Sequence, residues 1–176
     1  LDLSLPELRS GGRVLAKNID LQIIGAEKVC LIGDNGAGKT TLLKQIAEQL
    51  LARTDIKAAY MPQNYEDLLG AGGSLERVTP VTFLSQGGSD EMMRGRTFLG
   101  SLKYTADEMD HPVCELSGGQ KAKLLLLKVC MSGANVLILD EPTRNFSPLS
   151  NPVVRALLKQ YKGAVISASH DRKYIY

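Results

Sequence analysis

The hydrophobic and polar positions fall into short blocks whose period changes along the chain. Over residues 1–24, Leu1, Leu3 and Leu5 alternate with other positions, and Val14, Leu15, Ile19, Leu21 and Ile23 do so more loosely. Gly11 and Gly12 divide the two halves, so short antiparallel strands joined by a turn are expected. Residues 29–32 form an apolar run that reads as a strand buried on both faces. Leu42, Leu43, Ile46, Ala47, Leu50 and Leu51 then recur at helical spacing. Residues 56–60 read as a further strand, and Pro62 forces an extended or turning backbone that leaves Gln63 on a loop at its C-terminal end.

The middle of the chain carries less signal. Residues 69–74 and 86–89 are glycine-rich and read as loops. Helices are expected between Ser89 and Asp110, with Met92, Met93, Phe98, Leu99, Leu102 and Met109 as a packing set. Lys121, Lys123 and Lys128 interleave with Leu124, Leu125, Leu126, Leu127 and Val129 in another helix. Residues 136–139 are wholly apolar and predict a buried strand. Asn151 and Pro152 read as an N-cap and first helical residue, with Val153, Val154, Leu157, Leu158 and Tyr161 as the stripe and Gly163 as the stop. Residues 164–167 predict the last strand. The fold class is α/β: a mainly parallel core sheet, an N-terminal antiparallel β edge and a small helical subdomain at about residues 66–130, in one domain over 1–176.

Composition narrows the class only a little. The chain has 176 residues, enough for one domain with a real core, and 44% hydrophobic with 23% charged residues is ordinary for a globular protein. A net charge of +2 with no basic block does not argue for nucleic acid. No apolar stretch is long enough to cross a membrane, and no signal-peptide pattern is present. Cys30, Cys114 and Cys130 have no metal-ligand spacing and are expected to be reduced, buried thiols in the cytoplasm. The chain starts at Leu1, inside an expected strand, which suggests a piece of a longer protein.

Chemistry concentrates at four places. Gly33, Asp34, Asn35, Gly36, Ala37, Gly38, Lys39 and Thr40 satisfy G-x-x-x-x-G-K-[ST] at every fixed position, with Thr41 following. A triphosphate needs many N–H donors at close range, and side chains at the glycines would obstruct that approach. Since the loop opens a helix, free amides and the positive dipole end face the phosphates; Lys39 would reach the β- and γ-phosphates and the Thr40 hydroxyl would ligate Mg²⁺. Asp140 and Glu141 end the all-apolar strand abruptly, at the sheet edge where ligands bind in open α/β folds. One acid near Mg²⁺ and a second that orients or deprotonates water is what such enzymes need. Ser117, Gly118, Gly119 and Gln120 precede a helix and form a second potential anion site, a weak signal alone. His170 ends the last strand and is open to a structural or a catalytic reading.

In this order, the loop at 33–40, Gln63, LSGGQ at 116–120, LILDEP at 137–142 and His170 resemble the nucleotide-binding domain of the ATP-binding cassette (ABC) superfamily, a P-loop NTPase fold. The resemblance covers nearly the whole chain, and LSGGQ is its discriminating motif. It implies that Gln63 senses Mg²⁺ and the attacking water, Asp140 holds Mg²⁺ through water, Glu141 is the catalytic base and His170 contacts the γ-phosphate. It further implies that Ser117, Gly118, Gly119 and Gln120 serve ATP held by a second cassette, paired head to tail. IGDNGAGKTTLL, YMPQNY, LSGGQKAKLLLL and SHDRKYI are closer still to the ABC-F group, two-cassette proteins without a membrane domain that bind ribosomes. The chain is most similar to the C-terminal cassette of such a protein.

Two departures from the family pattern stand out. No Phe, Tyr or Trp precedes Tyr60, whereas the family stacks adenine on an aromatic near the N-terminal strands; an aliphatic contact from around Leu8 is the substitute expected. Ser147 stands where the family has an aspartate at the dimer interface. Three functions remain: an ABC-F translation or antibiotic-resistance factor acting on ribosomes, the motor subunit of a membrane transporter coupled to its membrane domain, and a nucleotide-gated interaction module with incidental hydrolysis.

Overall fold

The computed structural model describes residues 1–65, 69, 75, 77–85, 88–144 and 146–170. Chain contacts divide it into two compact units. The first comprises Leu1–Gln63, Gly133–Pro142 and the segment from Leu158 onward; the second comprises Asn64–Ser132 and Thr143–Leu157.

The first unit begins with a long hairpin, β1 (Asp2–Ser10) and β2 (Arg13–Gln22), antiparallel with a register shift between Leu8 and Arg9. Gly11 and Gly12 both take positive φ at its turn, which glycine adopts without steric cost. Next come β3 (Lys28–Leu31), α1 (Lys39–Leu51) and β4 (Ala58–Met61); β5 (Val136–Asp140) and β6 (Ala164–Ala168) complete a parallel sheet in the order β3-β6-β5-β4. The central strands β5 and β6 are buried at every position, as near-continuous apolar runs of a parallel sheet should be. α1 lays Leu43, Ile46, Ala47 and Leu50 against Val136, Ile138, Ala164 and Ile166, and Leu3, Leu5 and Ile23 of the hairpin region join the same cluster. Each fully buried Leu, Ile or Val among these contributes about 1.5–3 kcal/mol relative to exposure.

Several expectations are corrected here. β3 is an edge strand rather than one buried on both faces: Val29, Cys30 and Leu31 are half-buried and Ile32 is 68% exposed. Leu51, assigned to the apolar stripe of α1, is exposed because it closes the helix beyond the sheet-facing set. Gly163 does not cap a helix. It lies against the start of β5, where a Cβ would come within 2.4 Å of the Asn135 carbonyl oxygen.

The second unit is helical: α2 (Pro80–Leu84), α3 (Ser89–Ser101), α4 (Ala106–Asp110), a 3₁₀ turn (Val113–Glu115) and α5 (Gly118–Met131). Leu99, Leu102 and Met109 are buried as expected, but Met92 and Met93 are exposed on α3, so they are not core filler. Cys114 is exposed as well, and Cys30 and Cys130 are only partly buried, against the expectation of buried thiols. The expected glycine-rich loops at 69–74 and 86–89 fall mostly outside the described residues, with Ser89 already opening α3. Finally, α6 (Asn151–Gln160) includes Asn151 as its first residue, and the Ser150 carbonyl accepts from Val154 N at 3.1 Å.

Candidate functional site: a phosphate-loop cleft

The loop between β3 and α1 shows why its sequence is what it is. Gly36 and Gly38 take φ of 80° and 95°, left-handed backbone that other residues resist. A Cβ on Gly38 would also come 2.8 Å from Leu15 Cδ1, so the β1–β2 hairpin is laid directly on the loop. Lys39 Nζ donates to the carbonyls of Gly33 (2.7 Å) and Asp34 (2.9 Å), and Ala37 N donates to Asp34 O at 3.2 Å. Gly38 supplies no side-chain cap to α1, and no acid occupies the helix's first turn. The amides of this helix start are therefore left to whatever anion sits there.

A cleft of about 390 Å³ opens over the loop. Asn35, Gly36, Gly38, Lys39, Thr40 and Thr41 line one part of it, and Gln63, Asp140, Glu141 and His170 another. All of these lie in the first unit. Gly33, Asp34 and Ala37 belong to the loop without lining the cleft. Two residues unassigned by sequence reasoning, Ser10 and Leu15 of the hairpin, complete the lining, while Leu8 is buried beneath at 3% exposure. The hairpin pairing that carries Ser10 and Leu15 to the loop is long-range, and only the two turn glycines hint at it in sequence.

Successive side chains on a strand face opposite ways, so adjacent acids would not ordinarily share a cleft. The backbone solves this at Glu141, which takes φ of 51° just past β5 while its N–H donates to Ala168 O at 2.9 Å. That conformation costs a non-glycine residue on the order of 1 kcal/mol. Glu141 Oε2 accepts from His170 N at 3.3 Å, and His170 Nε2 lies 3.2 Å from Glu141 Oε1 without hydrogen-bond alignment. Asp140 is 2% exposed and its Oδ2 is buried with no hydrogen-bond partner. Burial pushes the Asp140 carboxyl above the usual carboxylate range, opposed by the Thr40 hydroxyl and then by the Lys44 and Lys39 charges.

No group of three or more His, Cys, Asp or Glu that could hold a metal occurs among the described residues. Mg²⁺ does not require one: it keeps several waters and binds through one or two protein oxygens plus substrate phosphates. The orphaned Oδ2 of Asp140, the Thr40 hydroxyl and the Gln63 amide are hard oxygen donors around one cleft, and they fit that ion.

The second motif is in the second unit, at the start of α5. Ser117 and Gln120 form a capping box: Ser117 Oγ accepts from Gln120 N at 3.3 Å and Gln120 Oε1 accepts from Ser117 N at 2.8 Å. Around it, Tyr65 Oη donates to Gly118 O at 2.8 Å, Tyr104 Oη donates to Gln120 O, and Gln120 Nε2 donates to Glu108 Oε1 at 2.5 Å. Burial raises the Tyr104 phenol, so it stays protonated as a donor. Sequence reasoning missed Tyr65, Tyr104 and Glu108, because nothing local to LSGGQ names its supports. Ser117 and Gly118 are themselves exposed.

Residues 16–144 match the family model described as ABC transporter. The chain belongs to that family. It is 34% identical over 93% of its length to the ATP-binding protein Uup of Escherichia coli, covering 27% of that protein. It is 32% identical to ABC transporter F family member 5 of Arabidopsis thaliana (93% of this chain, 24% of that protein). The ribosome protection protein VmlR of Bacillus subtilis is 33% identical (94% and 30%). The chain thus spans about a quarter to a third of the curated relatives it matches.

Among solved structures, an ATP-binding cassette captured as a post-hydrolysis dimer with ADP and Pi superposes with a TM-score of 0.71 at 17% identity, covering 98% of this chain and 87% of that one. The archaeal ribosome recycling factor aABCE1, solved with the stalk protein aP1, gives 0.74 at 23% identity, with coverages of 98% and 34%. Both share the α/β cassette fold expected from the sequence. No helix among the described residues is long and apolar enough to cross a membrane.

Proposed function

We propose that this cassette is the ATP-driven switch of a cytoplasmic ABC-F protein that acts on ribosomes in translation or antibiotic resistance. In this reading it pairs head to tail with a second cassette, of the same parent chain or of another copy, and ATP between the two holds them closed until hydrolysis releases them. The observation that carries the catalytic half is the convergence of Lys39, Asp140 and Glu141 on one cleft. Support for the ribosomal half comes from the likeness to F family members and to a ribosome protection protein over more than nine-tenths of the chain.

The roles follow from chemistry. The loop amides and Lys39 bind and neutralise the phosphates. Thr40, Gln63 and Asp140 hold Mg²⁺, which when bound offsets phosphate charge. Glu141 orients and accepts a proton from the attacking water, with His170 fixing its carboxylate and meeting the γ-phosphate. Ser117, Gly118, Gly119 and Gln120 present α5 to the nucleotide of the partner cassette; Ser117 Oγ can accept from Gln120 N and still donate its own proton to a phosphate oxygen.

The transporter-motor reading is favoured by one observation, the description of the matched family as ABC transporter. One experiment separates the two. The full natural chain carrying Glu141→Gln is centrifuged with ribosomes through a sucrose cushion, with ATP or with ADP. Pelleting with ribosomes in ATP and not in ADP supports the proposal. Recovery with membranes and not with ribosomes moves the assignment to a transporter.

A further inference from the structure

Behind the cleft, the layer between α1 and the sheet holds a second unpaired polar atom besides Asp140 Oδ2. Tyr60 sits on β4, outside the cleft lining, and its Oη is buried with no hydrogen-bond partner among the described residues. Strand register fixes which way it faces. Tyr60 pairs with Ile138 of β5, and Ile138 packs with α1 residues in the core cluster against which Tyr60 also lies. Side chains two apart on a strand share a face, so Asp140 is on the same side, one strand over and two residues further on. The Thr40 hydroxyl of α1, which bonds to the Asp140 carboxyl, is on that side too. The Cα atoms of Tyr60 and Asp140 are then roughly 8 Å apart, a gap that an aspartate and a tyrosine leaning along its strand close between them. All three elements belong to the first unit.

A buried hydroxyl in an apolar layer is unfavourable unless it meets an acceptor, and phenylalanine would fill the same space without that penalty. Two acids are in electrostatic reach: burial first, then the Asp140 and Glu48 charges, push the Tyr60 phenol up to about 12. Glu48 is exposed and served by water, whereas Asp140 is 2% exposed. The Thr40 hydroxyl and the Lys44 and Lys39 charges act on the same carboxylate, yet Oδ2 has no bond. Carboxylates that serve a metal are ordinarily hydrogen-bonded on their outer side, which fixes their orientation. We propose that Tyr60 is a positioning residue for Asp140, its hydroxyl donating to Oδ2 so that the carboxylate is held toward Thr40 and the cation it serves. This rests on the proposed reading that Asp140 serves Mg²⁺; Tyr60 itself touches neither the ion nor the nucleotide.

The test uses the full natural chain and reads Mg²⁺ without turnover. Binding of the fluorescent, non-hydrolysable analogue mant-AMPPNP is measured in EDTA and then across a Mg²⁺ titration, whose half-point reports cation affinity. Tyr60→Phe removes one oxygen that carries no bond in the fold, so the fold survives and binding in EDTA stays at the wild-type level. The half-point for Mg²⁺ should rise by roughly tenfold, the low end of what losing an outer hydrogen bond does to a metal site. Adding Tyr60→Phe to Asp140→Ala should shift it by less than about twofold, because the acceptor is already gone. A half-point for Tyr60→Phe within about twofold of wild type overturns the inference and leaves the proposed function intact. So does an undiminished effect on the Asp140→Ala background, or an equal weakening in EDTA, which a packing role would give. Binding to the wild-type chain that ignores Mg²⁺ altogether overturns the reading of Asp140 as well.

Discussion

Two helices in this chain begin at glycine-bearing motifs, and they begin in opposite ways. At α1 the cap is Gly38 in a left-handed conformation with no side-chain hydrogen bond, so the helix start is unfinished without a ligand. At α5 Ser117 and Gln120 satisfy one another reciprocally, and Tyr65, Tyr104 and Glu108 hold the motif from outside. Sequence reasoning assigned both starts to anions on the same physical ground of free amides and a helix dipole. Under the proposed function the difference is a division of labour: α1 would bind the nucleotide held by this cassette, whereas α5 would present an already capped helix start to a partner.

The largest effects should come from the unfinished end. Glu141→Gln keeps size and hydrogen bonding but removes the base, so turnover should fall by about 10²–10⁴-fold while ATP binding persists. Turnover within tenfold of wild type would remove Glu141 from that role and with it the reacting end of the cleft. Lys39→Ala should come next. Charge-assisted hydrogen bonds contribute about 1.5–3 kcal/mol each, so affinity should drop by roughly 10–150-fold. The same variant should cut the thermal stabilisation that nucleotide gives, from about 2.7 kcal/mol at a hundredfold excess over the wild-type Kd to about 0.3–1.4 kcal/mol at the same concentration. Wild-type ATP binding by Lys39→Ala would break the contrast between the two helix starts.

What the sequence made legible was local. The periodicity of α1, the apolar run of β5 and the spacing of Gly33 to Thr40 are each set by neighbours within a few residues, and the structure has those elements in place. Features that depend on other elements escaped. Residues 29–32 look identical as an edge or a central strand, since only sheet order exposes Ile32. Met92 and Met93 fit a helical stripe but turn to solvent. Ser10 and Leu15 reach the cleft only through the hairpin, and Tyr104 supports Gln120 from sixteen residues away.

At the finished end, Ser117→Ala removes the acceptor for Gln120 N. An N-cap of this kind is worth about 1 kcal/mol, which in a chain of this size lowers Tm by about 2–4 °C. Nucleotide affinity of the isolated cassette should not change, because the cap is already complete without ligand; calorimetry and mant-ADP titration read the two quantities separately. A loss of affinity with no loss of stability would reverse the comparison, making α5 the binding end.

The smallest effect sharpens the contrast at a single carboxylate. Asp140 is buried with Oδ2 unpartnered, and burial raises its carboxyl pKa. Its pKa is then higher folded than unfolded, so the fold binds its proton more tightly. Stability must fall as pH rises from the unfolded value near ~4 through the raised folded value, and remain lower above it. Asp140→Asn carries no charge to desolvate, so it should be more stable than wild type at pH 7 by on the order of 1 kcal/mol, as relief of a functional strain commonly is. The two melting curves should converge toward the acid end of that window, measured from pH 4 to 8. If Asp140→Asn is instead the less stable at pH 7, the Thr40 hydroxyl and the Lys44 and Lys39 charges outweigh burial. Asp140 would then be a satisfied structural acid, and the phosphate-loop unit would be as complete without its cation as the α5 start is without a partner.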